Sequence, residues 1–191
     1  HNMPIRVLST FSEGQGTLVT FEEKIMHKRL VSGIAFSREE AIITLVGAKH
    51  KTGIEAQILD SLSLEHIEID MIAQNTNSDG NIDFTFTAHR RDFSKALTLM
   101  EEMAKELGAS AVKSNTKVAK LSLIGVGMRS HTGVANTMFR ALADANIPTY
   151  MIATSEIKIS VIVEETQLEQ GVRAIHQAFG LDKLPETKQE I

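Results

Sequence analysis

The sequence predicts an α+β fold made of two βαββαβ units, and two observations carry the prediction. The first is the stretch 120–163, which reads as strand, glycine-rich turn, helix, strand, hairpin turn and strand. The second is that the chain contains this unit twice. Thr52-Gly53 matches Thr132-Gly133, Leu62 matches Leu142, Ile67 matches Ile147, and Met71-Ile72-Ala73 matches Met151-Ile152-Ala153, all at an offset of 80. Past the hairpin turn the offset becomes 75, pairing Ile82, Phe84 and Phe86 with Ile157, Ile159 and Val161. Offsets that hold over whole elements and change only at a turn mark a duplication.

In the later copy, Leu121, Leu123 and Ile124 form an apolar run, followed by Gly125 and Gly127. Val134, Met138 and Leu142 then recur every four residues and share one helix face. Residues 147–153 and 157–163 are β-branched runs separated only by Thr154, Ser155 and Glu156, which predicts a hairpin. Thr166 and Glu169 form a capping box for the last helix, with Leu168, Val172, Ile175 and Phe179 inward and Gly180 at its end.

In the earlier copy, residues 42–46 predict a strand ending at Gly47, and Ile54, Ile58 and Leu62 form the helix stripe. Thr52 is placed as its N-cap, with Glu55 completing a capping box. Strands 67–73 and 82–87 pair across Asn77-Ser78-Asp79-Gly80. Asp92 caps a second helix that turns Phe93, Leu97, Met100, Ala104 and Leu107 inward and exits at Gly108. Residues 109–116 supply a fourth strand. This order is that of a ferredoxin-like sandwich, with helices on one face of an antiparallel sheet. The later copy lacks its fourth strand, because the chain beyond Leu181 is polar and contains Pro185. A spare strand stands upstream at 30–36. The first module (41–117) is therefore expected to be inserted into the second (30–40 plus 118–183), with 184–191 as a polar tail.

A chain of 191 residues has room for two small cores. Its 42% hydrophobic and 23% charged residues are ordinary globular composition. A net charge of −4 opposes a nucleic-acid surface. The absence of cysteine excludes a disulfide framework and a thiolate metal site and suits the cytoplasm. No apolar stretch is long enough to span a bilayer, so no membrane partner is expected. His1-Asn2, ahead of Met3, are set aside from fold reasoning. Residues 4–9 form a short strand with no evident partner, and 21–29 read as a charged linker. Gly14 and Gly16 precede an extended stretch rather than a helix, so they read as a loop and not as a phosphate cradle.

Most chemistry is absent. Asn75-x-Asn77-x-Asp79-Gly80 begins like a calcium loop, but Phe86 stands where the bidentate Glu is required. Gly125-x-Gly127-x-x-Ser130 partly matches a dinucleotide fingerprint, yet a hairpin follows the helix instead of a second parallel strand. The seven histidines show no ligand spacing, and no nucleophile is paired with a base. What remains is the helix entrance in each copy, around His50, Thr52 and Gly53 and around Ser130, His131 and Gly133. Free N–H groups and the positive dipole end suit a carboxylate there, and glycine allows close approach. The same residues also serve a plain helix start.

The runs Leu123-Ile124-Gly125-Val126-Gly127-Met128-Arg129-Ser130-His131-Thr132-Gly133-Val134, 152–160 and Ile69-Asp70-Met71-Ile72-Ala73-Gln74-Asn75 resemble the C-terminal pair of ACT regulatory modules of aspartokinases. Residues 5–11 resemble the end of that family's kinase lobe, so 1–29 would hold the lobe's end and a linker. The resemblance implies a parent enzyme that phosphorylates the β-carboxylate of aspartate with ATP and Mg. No cofactor and no catalytic residue are implied for this chain, which lacks the family's Lys-Gly-Gly stretch and should be inactive alone. Implied partners are lysine or threonine as effectors, a kinase lobe or catalytic subunit, and a second copy in a homodimer. One effector site would use His50, Gly53, Ile54, Glu55 and Gln74, facing Asn146, Ile147, Pro148 and Thr149. The other would use Ser130, His131, Gly133, Val134, Ala135 and Ser155, facing Glu68, Ile69 and Asp70. The chain departs from the family pattern at His50, Thr52, Glu55, Thr132 and Pro148. Two other readings stand beside this one. A dimerisation module without sites is one, and a ferredoxin-like RNA-binding module is the other, opposed by one Tyr, no Trp and net acidity.

Overall fold

In the computed structural model the described residues are 5–8, 16–19, 30–126, 128, 131 and 133–182. The linker at 21–29, Gly127, Ser130, Thr132 and the tail at 184–191 lie outside them. The short first strand has a partner after all: β1 (Ile5–Val7) pairs antiparallel with β2 (Thr17–Val19).

The remaining strands form one sheet. In chain order the elements are β3 (Val31–Ala48), α1 (Ile54–Leu64), β4 (Ile69–Thr76), β5 (Ile82–His89), α2 (Phe93–Leu107), β6 (Ala111–Gly125), α3 (Val134–Asp144), β7 (Met151–Thr154), β8 (Lys158–Glu164) and α4 (Leu168–Ala178). The six strands lie in the order β4-β5-β3-β6-β8-β7, and all neighbours are antiparallel.

Four of the expected strands are halves of two long ones. The strands placed at 30–36 and 42–46 are both β3, of 18 residues, and those at 109–116 and from 120 are both β6, of 15. The charged run Arg38-Glu39-Glu40 does not break the ladder. Register shifts between Ser37 and Glu40 and between Glu40 and Ile42 absorb it as bulges. Glu40 is buried and meets Lys120 Nζ at 2.9 Å, and Arg38 meets Glu169 at 3.1 Å. The upstream part of β3 faces the end of β6, Ile34 opposite Leu123, while its downstream part lies between β5 and the start of β6. The strand at 31–37 thus joins the half that contains β8 and β7.

Two apolar cores follow from the helix stripes. Ile54, Ile58 and Leu62 of α1 and Met100 and Leu107 of α2 pack on Phe84 and Phe86. Met138 and Leu142 of α3 and Leu168 and Ile175 of α4 pack on Leu121, Leu123 and Val161. Each such side chain contributes about 1.5–3 kcal/mol when fully buried. Ile162 alternates with Val161 and Val163, so it points to the opposite face. There it joins Met71, Val118 and Met151 in a smaller cluster that spans both halves.

The caps differ from those expected. Gly53, not Thr52, is the N-cap of α1, and no side chain caps it. Asp92 occupies the N-cap position of α2 without making a capping hydrogen bond. A 3-10 turn, Arg90–Asp92, leads into the helix, and His89 Nδ1 caps that turn by accepting from the Arg91 N–H at 3.2 Å. A matching 3-10 turn, Glu165–Gln167, leads into α4, where Gln167 replaces Thr166 as cap and Glu169 pairs with Arg38 and Arg173.

Gly125 marks where β3 and β6 close on each other. A Cβ there would lie 2.1 Å from the Leu30 carbonyl oxygen, whereas one at Gly33 would meet nothing within 4 Å. Gly125→Ala should therefore destabilise the chain by about 1–3 kcal/mol, the usual cost of overpacking. Gly33→Ala should stay within about 0.5 kcal/mol of the parent. Denaturant unfolding of both variants checks the pair.

Candidate functional site

The first helix entrance is fixed by hydrogen bonds at the exit of β3. The Gly47 N–H donates to Asp83 Oδ1 at 2.7 Å, and Asn77 Nδ2 donates to the same oxygen at 3.0 Å. The Lys49 N–H donates to the Leu107 carbonyl at 3.1 Å. Gly53 then takes φ 88°, a left-handed conformation that favours glycine, and its carbonyl accepts from the Gln57 N–H at 3.0 Å. Ile54 is buried, His50 is exposed, and Glu55 lies half-buried in the first turn of α1. Gln74 Nε2, from the far end of β4, donates to Glu55 Oε1 at 2.9 Å. The Glu55 backbone N–H, then the Gln74 amide, hold the Glu55 carboxyl below the usual glutamate range.

The second entrance has the same backbone. Gly133 takes φ 111°, and its carbonyl accepts from the Thr137 N–H at 2.8 Å. Val134 is buried, Ala135 half-buried and His131 exposed, while Ser130 lies outside the described residues. The turn ahead of it is tied to the β7–β8 hairpin. The Gly125 N–H donates to the Ile157 carbonyl at 2.9 Å, and the Met128 N–H to that of Glu156 at 3.0 Å. Within the hairpin, Ser155 Oγ accepts from the Lys158 N–H at 3.2 Å.

The facing segments are engaged elsewhere in the single chain. Asn146 (φ 57°) closes the helix α3, and its carbonyl accepts from Gln167 Nε2 at 3.3 Å. Ile147 is buried, and Pro148 and Thr149 lead into β7. Glu68 meets Arg91 at 3.5 Å, and Ile69 packs on the first core. Asp70 Oδ2 meets Lys120 Nζ at 2.5 Å, and the same ammonium holds Glu40. Burial is the largest single influence on Lys120 and pushes it down, but the two carboxylates outweigh it and hold the ammonium above the usual lysine value. A cavity of about 350 Å³ lined by Glu40, Glu68, Ile69, Asp70 and His89 opens beside this cluster.

Strand register locates these parts. Tyr150 bonds to Ile162, Ile162 lies opposite Lys120, and Lys120 opposite Ser37, so residues 146–149 sit near the level of Ser37. The first entrance follows Ala48, roughly 35 Å further along β3 at the usual strand rise. Ile69 lies opposite Ala88, itself opposite Ala41, while the second entrance follows Gly125, opposite Val31. That separation is again roughly 30 Å. Within one chain the structure therefore joins the first entrance to Gln74 and the second to the hairpin beyond β7, but leaves each apart from its facing segment. Sequence reasoning missed Lys120, Glu40 and His89. A lysine between the buried Ala119 and Leu121 points to the opposite sheet face, and that alternation is the signal that could have found it. Among the described residues no cluster of His, Asp and Glu could hold a metal, and no helix is long and apolar enough to cross a membrane.

The ACT domain family matches residues 121–179. An aspartate kinase of Pseudomonas putida is 51% identical over 183 residues, covering 95% of this chain and 44% of that protein. The chain thus spans less than half the length of this relative. Among solved structures, aspartokinase alpha and beta subunits match with 42% identity and a TM-score of 0.74, over 78% of this chain and 99% of that one. The regulatory subunit of aspartate kinase from Thermus thermophilus matches with 34% identity and a TM-score of 0.75, over 79% of this chain and 99% of that one. Two duplicated ferredoxin-like halves, glycine-opened helix entrances and these likenesses together place the chain in the aspartokinase family, as its ACT-containing regulatory region.

Proposed function

We propose that this region senses lysine or threonine on behalf of an aspartate kinase, and that two copies build the sensing sites together. The ATP- and Mg-dependent phosphorylation of aspartate belongs, in this reading, to a kinase lobe or catalytic subunit. One observation carries the proposal: among the described residues the outer edges of β4 and β7 pair with no further strand, and they lead to the two helix entrances. Unpaired strand edges are templates for pairing with another chain.

Antiparallel pairing of β4 on the β7 of a second copy sets the end of β4, with Gln74 and the first entrance, beside residues 146–149. The same pairing sets Glu68, Ile69 and Asp70 beside Ser155 and the second entrance. A two-fold arrangement repeats the contact. It also covers Ile72 and Ile152, which are about half exposed on these edges. An amino acid then finds N–H groups at the start of α3 for its carboxylate and Asp70 for its ammonium. The neighbouring Lys120 meets the same Asp70 carboxylate in an ion pair.

Two outcomes follow. Asp70→Asn should weaken effector binding by roughly 1.5–3 kcal/mol, the usual worth of a hydrogen bond to a charged group. Calorimetric titration with L-lysine and L-threonine measures it, and unchanged affinity in a folded variant counts against the assignment. Sedimentation should report a dimer, and a monomer well above micromolar concentration, with and without effector, would sink the two-copy arrangement.

A further inference from the structure

The two entrances share a backbone but carry different charges. At the offset of 80, Glu55 corresponds to Ala135 and Asp70 to Tyr150. The α3 entrance therefore has no side-chain carboxylate of its own in the first turn, and the segment expected to face it brings two, Glu68 and Asp70. The α1 entrance is the reverse. Its first turn carries Glu55, whose Oε1 already accepts from Gln74 Nε2 at 2.9 Å. Its facing segment offers Pro148, which has no N–H, and Tyr150, whose hydroxyl donates to Glu164 Oε1 at 2.5 Å.

We infer that Glu55 is a built-in carboxylate that fills the α1 entrance and closes it to amino-acid effectors, leaving the α3 entrance to bind them. This inference rests on the sensing reading above. A ligand carboxylate at α1 would have to take the Gln74 amide and the Glu55 backbone N–H from a group tethered two residues beyond Gly53. Tethering gives Glu55 an effective concentration on the order of millimolar or more, independent of supply. Two carboxylates sharing the seat would also repel each other. The depressed Glu55 carboxyl agrees, since its own backbone N–H and Gln74 favour the charged form at this position. Removing Glu55 uncovers the same backbone geometry that Gly133 presents at the other entrance.

The experiment is calorimetric titration of the full chain with L-threonine and L-lysine, separately and together. The parent chain should bind about one ligand per chain and Glu55→Ala about two, one at each helix N-terminus. A second measurement needs no variant: the carboxyl carbon resonance of Glu55, followed by NMR, should stay unmoved when the parent is saturated. Two ligands per chain in the parent, or a Glu55 resonance that moves on saturation, would overturn the closed entrance while leaving amino-acid sensing standing. A Glu55→Ala variant that still binds only one ligand would overturn it as well. No binding by either protein would remove the sensing reading itself.

Discussion

The pairing of β3 with β6 is the constraint on which the rest of the molecule depends. Both strands run the length of the sheet, and each serves two cores in turn. Bulges around Glu40 let the ladder change over without a break. At the changeover charged groups pair across the strands: Glu40 and Asp70 share Lys120. Arg90, from the turn ahead of α2, meets Glu165 in the matching turn ahead of α4 at 3.1 Å and donates to the Val118 carbonyl at 3.2 Å. Breaking one partner of such a part-buried pair costs more than the pair contributes, because the other charge is left without compensation.

From this spine the location of the two helix entrances follows. β5 and β4 extend the sheet beyond β3, and β8 and β7 extend it beyond β6. Because β3 and β6 are antiparallel, the two helices that leave their ends start at opposite ends of the sheet. The free margins β4 and β7 fall on opposite sides. A single chain cannot fold the start of β7 onto the α1 entrance without abandoning the ladder. The geometry that makes the fold continuous is the same geometry that separates the halves of each expected site.

Much of the fold was legible because its signals are local. The stripe Ile54, Ile58 and Leu62 and its repeat Val134, Met138 and Leu142 are buried as the period requires. The insertion could be read from a missing strand and a spare one. The continuity of β3 could not, since the charged run Arg38-Glu39-Glu40 separates two apolar runs until Lys120 and Glu169 are in place. The capping boxes at Thr52 and Thr166 failed for a different reason: left-handed Gly53 and a 3-10 turn displace the cap. Of the site, the entrances were visible through their glycines. The Lys120 cluster was not, because it joins residues from three strands.

Gly53 and Gly133 explain why the two duplicated helix entrances can diverge in charge while keeping one fold. A Cβ at either would meet nothing within 4 Å, so neither glycine is required by packing. Each is required by its backbone, at φ 88° and 111°. The residue two positions on carries neither burden: it lies half-buried in the first turn, where Glu55 and Ala135 differ without touching the apolar stripe. Charge at this position changes the electrostatics of a helix N-terminus directly, and it does so at no cost to either core. The charge of each entrance and the fold are therefore held by different residues within the same turn.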